Sequence, residues 1–97
     1  MRVELSAQAE RDLLDIALYI AADNPDRALS FVDELQQACW GLADRARRYP
    51  VLPGFERQAI RRRPHGRYAI LYAVADDSVQ VLRILSTAMD LDAVLGD

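Results

Sequence analysis

A chain of 97 residues that is 52% apolar can bury about 60–70% of its unfolded surface, so one domain over residues 1–97 folds without disulfide or metal staples. Fifteen acids against twelve bases leave a net charge of −3, which excludes whole-molecule attraction to nucleic acid and makes any such binding local. All twelve bases are arginine, so cationic work falls to guanidinium groups, which hold and stabilise charge but do not shuttle protons.

The opening "MRVELS" alternates Met1, Val3 and Leu5 with Arg2 and Glu4, the period of a strand with one buried face. Ser6 is placed to cap a helix over about residues 7–22, in which Ala9, Leu13, Ile16 and Ile20 recur at helical spacing. Glu10, Asp12 and Asp15 bring negative charge toward its N-terminus, where the macrodipole favours it. "DNPDRA" stops and restarts the chain: Asn24 caps and Pro25 suits the first helical position. The second helix carries a stripe of Ala28, Phe31 or Val32, Leu35, Cys39, Leu42 and Ala46, and the short connection predicts an antiparallel helical hairpin. Cys39 lies on that stripe, where a buried, inert thiol is expected.

"YPVLPG" (49–54) ends the helical region, and the period then becomes extended. Strands are predicted at Ala59–Arg63, Arg67–Val74 and Val79–Ser86, separated by the turns "PHG" and "ADDS". "YAILYAV" is apolar on both faces and reads as a central strand covered on two sides. The tail "MDLDAVL" is predicted to close with one helical turn through Met89, Val94 and Leu95. The fold class is α+β, in the order β-α-α-β-β-β: a curved antiparallel sheet with the hairpin on one face. No apolar run approaches a membrane span and Met1 leads directly into the first strand, so a soluble, cytoplasmic protein is expected.

Three segments, "VELSAQAERDLLDIALYI", "GRYAILYAVADDSVQVLRIL" and "LSTAMDLDAVL", in this order and spacing, resemble the ParE/RelE superfamily of bacterial type II toxins over essentially the whole chain. The resemblance implies a toxin neutralised by a small antitoxin whose flexible segment wraps it. RelE-like members cut messenger RNA on the ribosome, whereas ParE-like members share the fold but poison DNA gyrase without being nucleases. A ParD-like antitoxin would also supply the DNA-binding half of an operon repressor, and no cofactor or metal is implied.

Cleavage of RNA through its 2′-OH needs proton-transfer groups as well as cations for the developing phosphorane charge. Arg67 and Arg83 match positions where ribonuclease relatives carry groove arginines, which keeps that alternative open. The proton-transfer roles are harder to fill. The tail offers Ser86, Thr87, Ala88 and Met89; His65 falls in the "PHG" turn; Glu56 is a lone loop carboxylate beside Arg57. Tyr68 and Tyr72 share a strand face as core, groove lining or a base-stacking platform. The favoured reading is therefore ParE-like, with no catalytic residues and DNA gyrase as target.

Five arginines between 57 and 67, with no acid among them, form a local positive patch. Part of the run, Arg61 to Arg63, is explained by blunting an edge strand. Alternation sends Arg61 and Arg63 to one face and Arg62 to the other, so an arginine on the helix-covered side needs a carboxylate or backbone carbonyls. The antitoxin's acidic residues are placed against Arg61, Arg63, Arg67 and Arg83. Leu14, Leu18 and Tyr19 widen the first helix's apolar surface, either as a wide core face or as a groove for the antitoxin's helix. Trp40, off the main stripe, contacts either the 50–55 loop or a partner.

Overall fold

The chain was analysed as a computed structural model that describes residues 1–88 and 94–95. In chain order the elements are β1 (Arg2–Leu5), α1 (Ala7–Ala21), α2 (Pro25–Trp40), a single turn α3 (Leu42–Arg45), β2 (Arg61–His65), β3 (Tyr68–Ala75) and β4 (Ser78–Ser86). The four strands form one sheet in the order β1-β4-β3-β2.

Both long helices start where their caps dictate. The Ser6 hydroxyl accepts from the Ala9 N–H at 2.9 Å, and the Asn24 amide oxygen accepts from the Arg27 N–H at 3.0 Å. The stripe of α1 buries Ala9, Leu13 and Ile16; that of α2 buries Ala28, Leu35, Ala38 and Cys39. Leu42 and Ala46 continue the second stripe into the core, but Gly41 interrupts the helix just before Leu42. A Cβ at Gly41 would meet the Arg63 Nη1 at 3.2 Å, so the break also makes room for that side chain.

The last three strands form the expected antiparallel meander, with two-residue turns at Gly66-Arg67 and Asp76-Asp77. Gly66 has φ +60°, a conformation that suits glycine in a tight hairpin turn. β1 differs from the antiparallel expectation: it runs parallel to β4, Val3 opposite Val79 and Leu5 opposite Val81, so the sheet is mixed. Alternation sets which residues of β1 face the core but says nothing of its direction, and the long crossover through the hairpin returns the chain to the same side. Met1 stands outside the buried alternation and is 45% exposed, because the strand begins only at Arg2.

β3 is buried on both faces, with Ala69, Ile70, Leu71 and Tyr72 all below 5% exposure. Ile70 and Tyr72 join Leu35, Cys39 and Val81 under the helices, while Ala69 and Leu71 join Leu52, Phe55 and Ile60 on the opposite face. Val94 and Leu95 are helical and pack against that second cluster; Met89 lies outside the described residues. Burial pushes the Cys39 thiol up to about 11 and, as the leading cause, the Tyr72 hydroxyl up to about 12, which keeps both neutral.

β2 begins two residues later than predicted and includes Pro64 and His65, the expected turn. On an edge strand a proline costs no ladder bond when its nitrogen faces outward. Ala59, the expected strand start, instead ends a helical turn with φ +55°, its N–H donating to the Glu56 carbonyl and the Ile60 N–H to the Phe55 carbonyl. A non-glycine residue in this left-handed position costs about 1 kcal/mol. Ala59→Gly should therefore raise stability by about 1 kcal/mol in urea unfolding, whereas the same change in a strand would lower it.

Candidate functional site

Asp12 sits within the apolar stripe of α1, three residues after Ala9 and four before Ile16, and is only 7% exposed. Its carboxylate accepts from Arg83 at 2.9 Å (Nε to Oδ2) and 3.0 Å (Nη2 to Oδ1), and from the Ile84 backbone N–H at 2.9 Å. The hydrogen bond from Arg83 to Asp12 holds the guanidinium above its ordinary pKa, against the pull of burial. Such a two-pronged, charge-assisted contact fixes orientation as well as charge.

A β-bulge puts Arg83 there. Leu71 pairs with Arg83 and Tyr72 with Val81, which leaves Leu82 without a partner in β3. The Ser6 hydroxyl donates to the Leu82 carbonyl at 2.8 Å, and the Ser6 N–H to the Val81 carbonyl at 2.9 Å. One residue thus caps α1 and satisfies the bulge.

Beside this clamp a groove runs between α1 and the ends of β3 and β4. It consists of three depressions of about 220, 300 and 340 Å³, each lined by both Tyr19 and Tyr68. The first reaches Asp12, Asp15, Ile16, Arg83 and Ser86; the second shares Ser86 and adds Arg67; the third shares Arg67 and is walled by Ile20, Arg27, Phe31 and Gly66. Phe31 is held by tilted contacts with Tyr68 (5.6 Å) and His65 (5.7 Å), and the Arg27 guanidinium lies 5.0 Å over its ring. Arg27 is itself bound to Glu34 at 2.7 Å.

The arginines proposed from sequence for one surface separate in space. Arg61 and Arg63 lie opposite Tyr72 and Ile70 and turn toward the helix side, where they donate to the carbonyls of Tyr49 and Ala38. Arg63 also lies over the Tyr49 ring at 5.3 Å. Arg83 is clamped by Asp12, and only Arg67 is exposed with no side-chain hydrogen bond or ion pair among the described residues. Leu14, Leu18 and Tyr19 are 58%, 62% and 77% exposed, so they belong to no core face of this chain. Trp40, at the end of α2, is half exposed.

His65 is not a turn residue. It ends β2 and packs on α2, with its Nε2 3.5 Å from Glu34. The Glu56 carboxylate accepts from the Gly54 N–H at 3.1 and 3.2 Å, a local loop tie. Tyr68 lines the groove, whereas Tyr72 is buried and donates to the Ala46 carbonyl at 2.6 Å. Asp12 is the residue that a charge-based reading missed, although its position within the stripe was visible. Among the described residues no three potential metal ligands cluster, and no helix is long and apolar enough to cross a membrane. Removing one partner of a buried ion pair leaves the other uncompensated, so Asp12→Ala should cost about 3–5 kcal/mol in urea unfolding. Arg67→Gln, at an exposed site with no side-chain partner among the described residues, should change stability by less than about 0.5 kcal/mol.

Comparison with known proteins agrees with this architecture. A search of the curated proteins finds no match. Among solved structures, one described as the chromosomal ParDE TA system from P. aeruginosa superposes with a TM-score of 0.75, over 89% of this chain and 95% of that one. The identity is 20%, so the likeness speaks for the fold. The family model for the ParE toxin of the type II toxin-antitoxin system parDE matches residues 3–91, and the chain accordingly belongs to the ParE toxin family.

Proposed function

We propose that this ParE-family toxin arrests growth by poisoning DNA gyrase, and that a ParD-like antitoxin neutralises it by covering the exposed face of α1 and the adjoining groove. Leu14, Leu18 and Tyr19 supply the apolar part of that seat, and Arg67 is its outward-facing cation. Arg61, Arg63 and Arg83 hold the seat in shape through the bonds they make inside the chain.

The observation that carries the choice of target is the Asp12–Arg83 clamp. An RNA-cleaving groove needs cations free to meet a developing phosphorane charge. Here the guanidinium at that place already has a buried carboxylate as its counterion, with two hydrogen bonds to it. A phosphate would have to displace that carboxylate and leave it buried and unpaired, at a cost of several kcal/mol. Binding to a protein target asks for no such displacement.

The test is a purified gyrase reaction on supercoiled plasmid with ATP, in which linear DNA is read after protein digestion, with this chain alone and then with the protein encoded beside it. Linear product that the neighbour suppresses is the expected result. Growth arrest in cells without linear product or loss of supercoiling in vitro would overturn the reading and direct attention to ribosome-dependent RNA cleavage through Arg67 and Arg83.

A further inference from the structure

The third depression of the groove combines aromatic walls with guanidinium groups. It has about 340 Å³ of space, three aromatic walls in Tyr19, Phe31 and Tyr68, and Ile20 between the helices. Phe31 is fixed from three sides by Tyr68, His65 and Arg27, so the pocket is shaped before anything enters it. Two guanidinium groups line it, but they are not equivalent. Arg27 is neutralised by Glu34, with contacts of 2.7 and 3.4 Å, whereas Arg67 has no side-chain partner among the described residues. The Arg67 side chain springs from a two-residue hairpin turn whose backbone is held by the Thr87 N–H donating to the Arg67 carbonyl at 2.8 Å. That cation is therefore mounted on a fixed support at the mouth of an aromatic pocket.

We propose that this pocket reads a carboxylate: it takes a bulky apolar side chain from a protein partner, and the acidic residue next to that side chain pairs with Arg67. The proposal rests on the antitoxin reading above and adds what the antitoxin must present here, an acidic residue flanked by large apolar ones. Charge favours a peptide over a nucleic acid. Asp15, exposed on the same groove, would repel a string of phosphates, while one carboxylate matches the one guanidinium of the pocket that has no side-chain partner among the described residues. Tyr19, 77% exposed in the unbound chain and shared by all three depressions, is the side chain that such a segment would cover first.

The probes are the capped peptides N-acetyl-Phe-Glu-Leu-amide and N-acetyl-Phe-Gln-Leu-amide, titrated into the ¹⁵N-labelled full chain by NMR. The expected result is shifts at Gly66, Arg67, Tyr68 and Tyr19, with the glutamate peptide binding about threefold to tenfold tighter. Arg67→Gln should erase that preference and Arg67→Lys should keep part of it. Tyr19→Ala should weaken both peptides alike. Both side chains are exposed, so the variants should unfold at the parent's midpoint. Equal binding of the two peptides, shifts elsewhere, or no binding up to the peptides' solubility limit would overturn the proposal. So would a uridine hexanucleotide that binds more tightly than the glutamate peptide and depends on Arg67. The titration contains no gyrase, so a failed gyrase reaction beside a glutamate preference at Arg67 would remove the target and leave this site standing.

Discussion

The buried pair of Asp12 and Arg83 joins the helical layer to the sheet at one point, and the rest of the structure is arranged around it. A carboxylate inside an apolar stripe is costly unless its lone pairs are occupied. Here a guanidinium takes two positions and the Ile84 N–H takes a third. That geometry needs the β4 bulge, the bulge leaves the Leu82 carbonyl in need of a donor, and Ser6 supplies one while capping α1. Sequence positions 6, 12 and 82–84 are thus one hydrogen-bonded unit, which sets how α1 lies on β4 and how wide the groove beside it opens.

The same economy governs the arginine run. A strand at the edge of a sheet with three consecutive arginines would ordinarily be read as a solvated edge or a ligand patch. Instead Arg63 reaches the Ala38 carbonyl in the last turn of α2, and Arg61 reaches the Tyr49 carbonyl in the loop after α3. The charge of Arg63 lies near the C-terminus of α2, where the macrodipole favours it. The isolated bridge between Val51 and Arg61 covers the start of this edge, and Pro64 removes a donor farther along it. The outward chemistry of the stretch is left to the exposed Arg67, beside the aromatic pocket.

Periodicity carried the order β-α-α-β-β-β, the two caps and the doubly buried β3, because those features repeat at 2 or 3.6 residues and local chemistry specifies them. The direction of β1 was not legible, since strand alternation is the same for parallel and antiparallel neighbours. Pro64 and His65 were misread as a turn because proline's turn preference is local, whereas its tolerance here depends on the position of β2 in the sheet. Asp12 could have been recognised by its place between Ala9 and Ile16. Only the fold pairs it with Arg83, 71 residues away, which gives that guanidinium a counterion inside the fold. Leu14, Leu18 and Tyr19 were legible as apolar excess on α1; their exposure in the folded chain removes the wide-core explanation.

The central claim is that Arg83 serves the framework and not the target. Its most direct test is the double variant Asp12→Asn, Arg83→Gln, which keeps hydrogen-bonding groups in the clamp and removes both charges. Purified and shown by circular dichroism to be folded, it would be assayed for gyrase-dependent linearisation of plasmid beside the parent chain. The account predicts undiminished linear product, because among the described residues the guanidinium bonds only to Asp12. A folded double variant that has lost the activity would contradict it and place Arg83 in contact with the target.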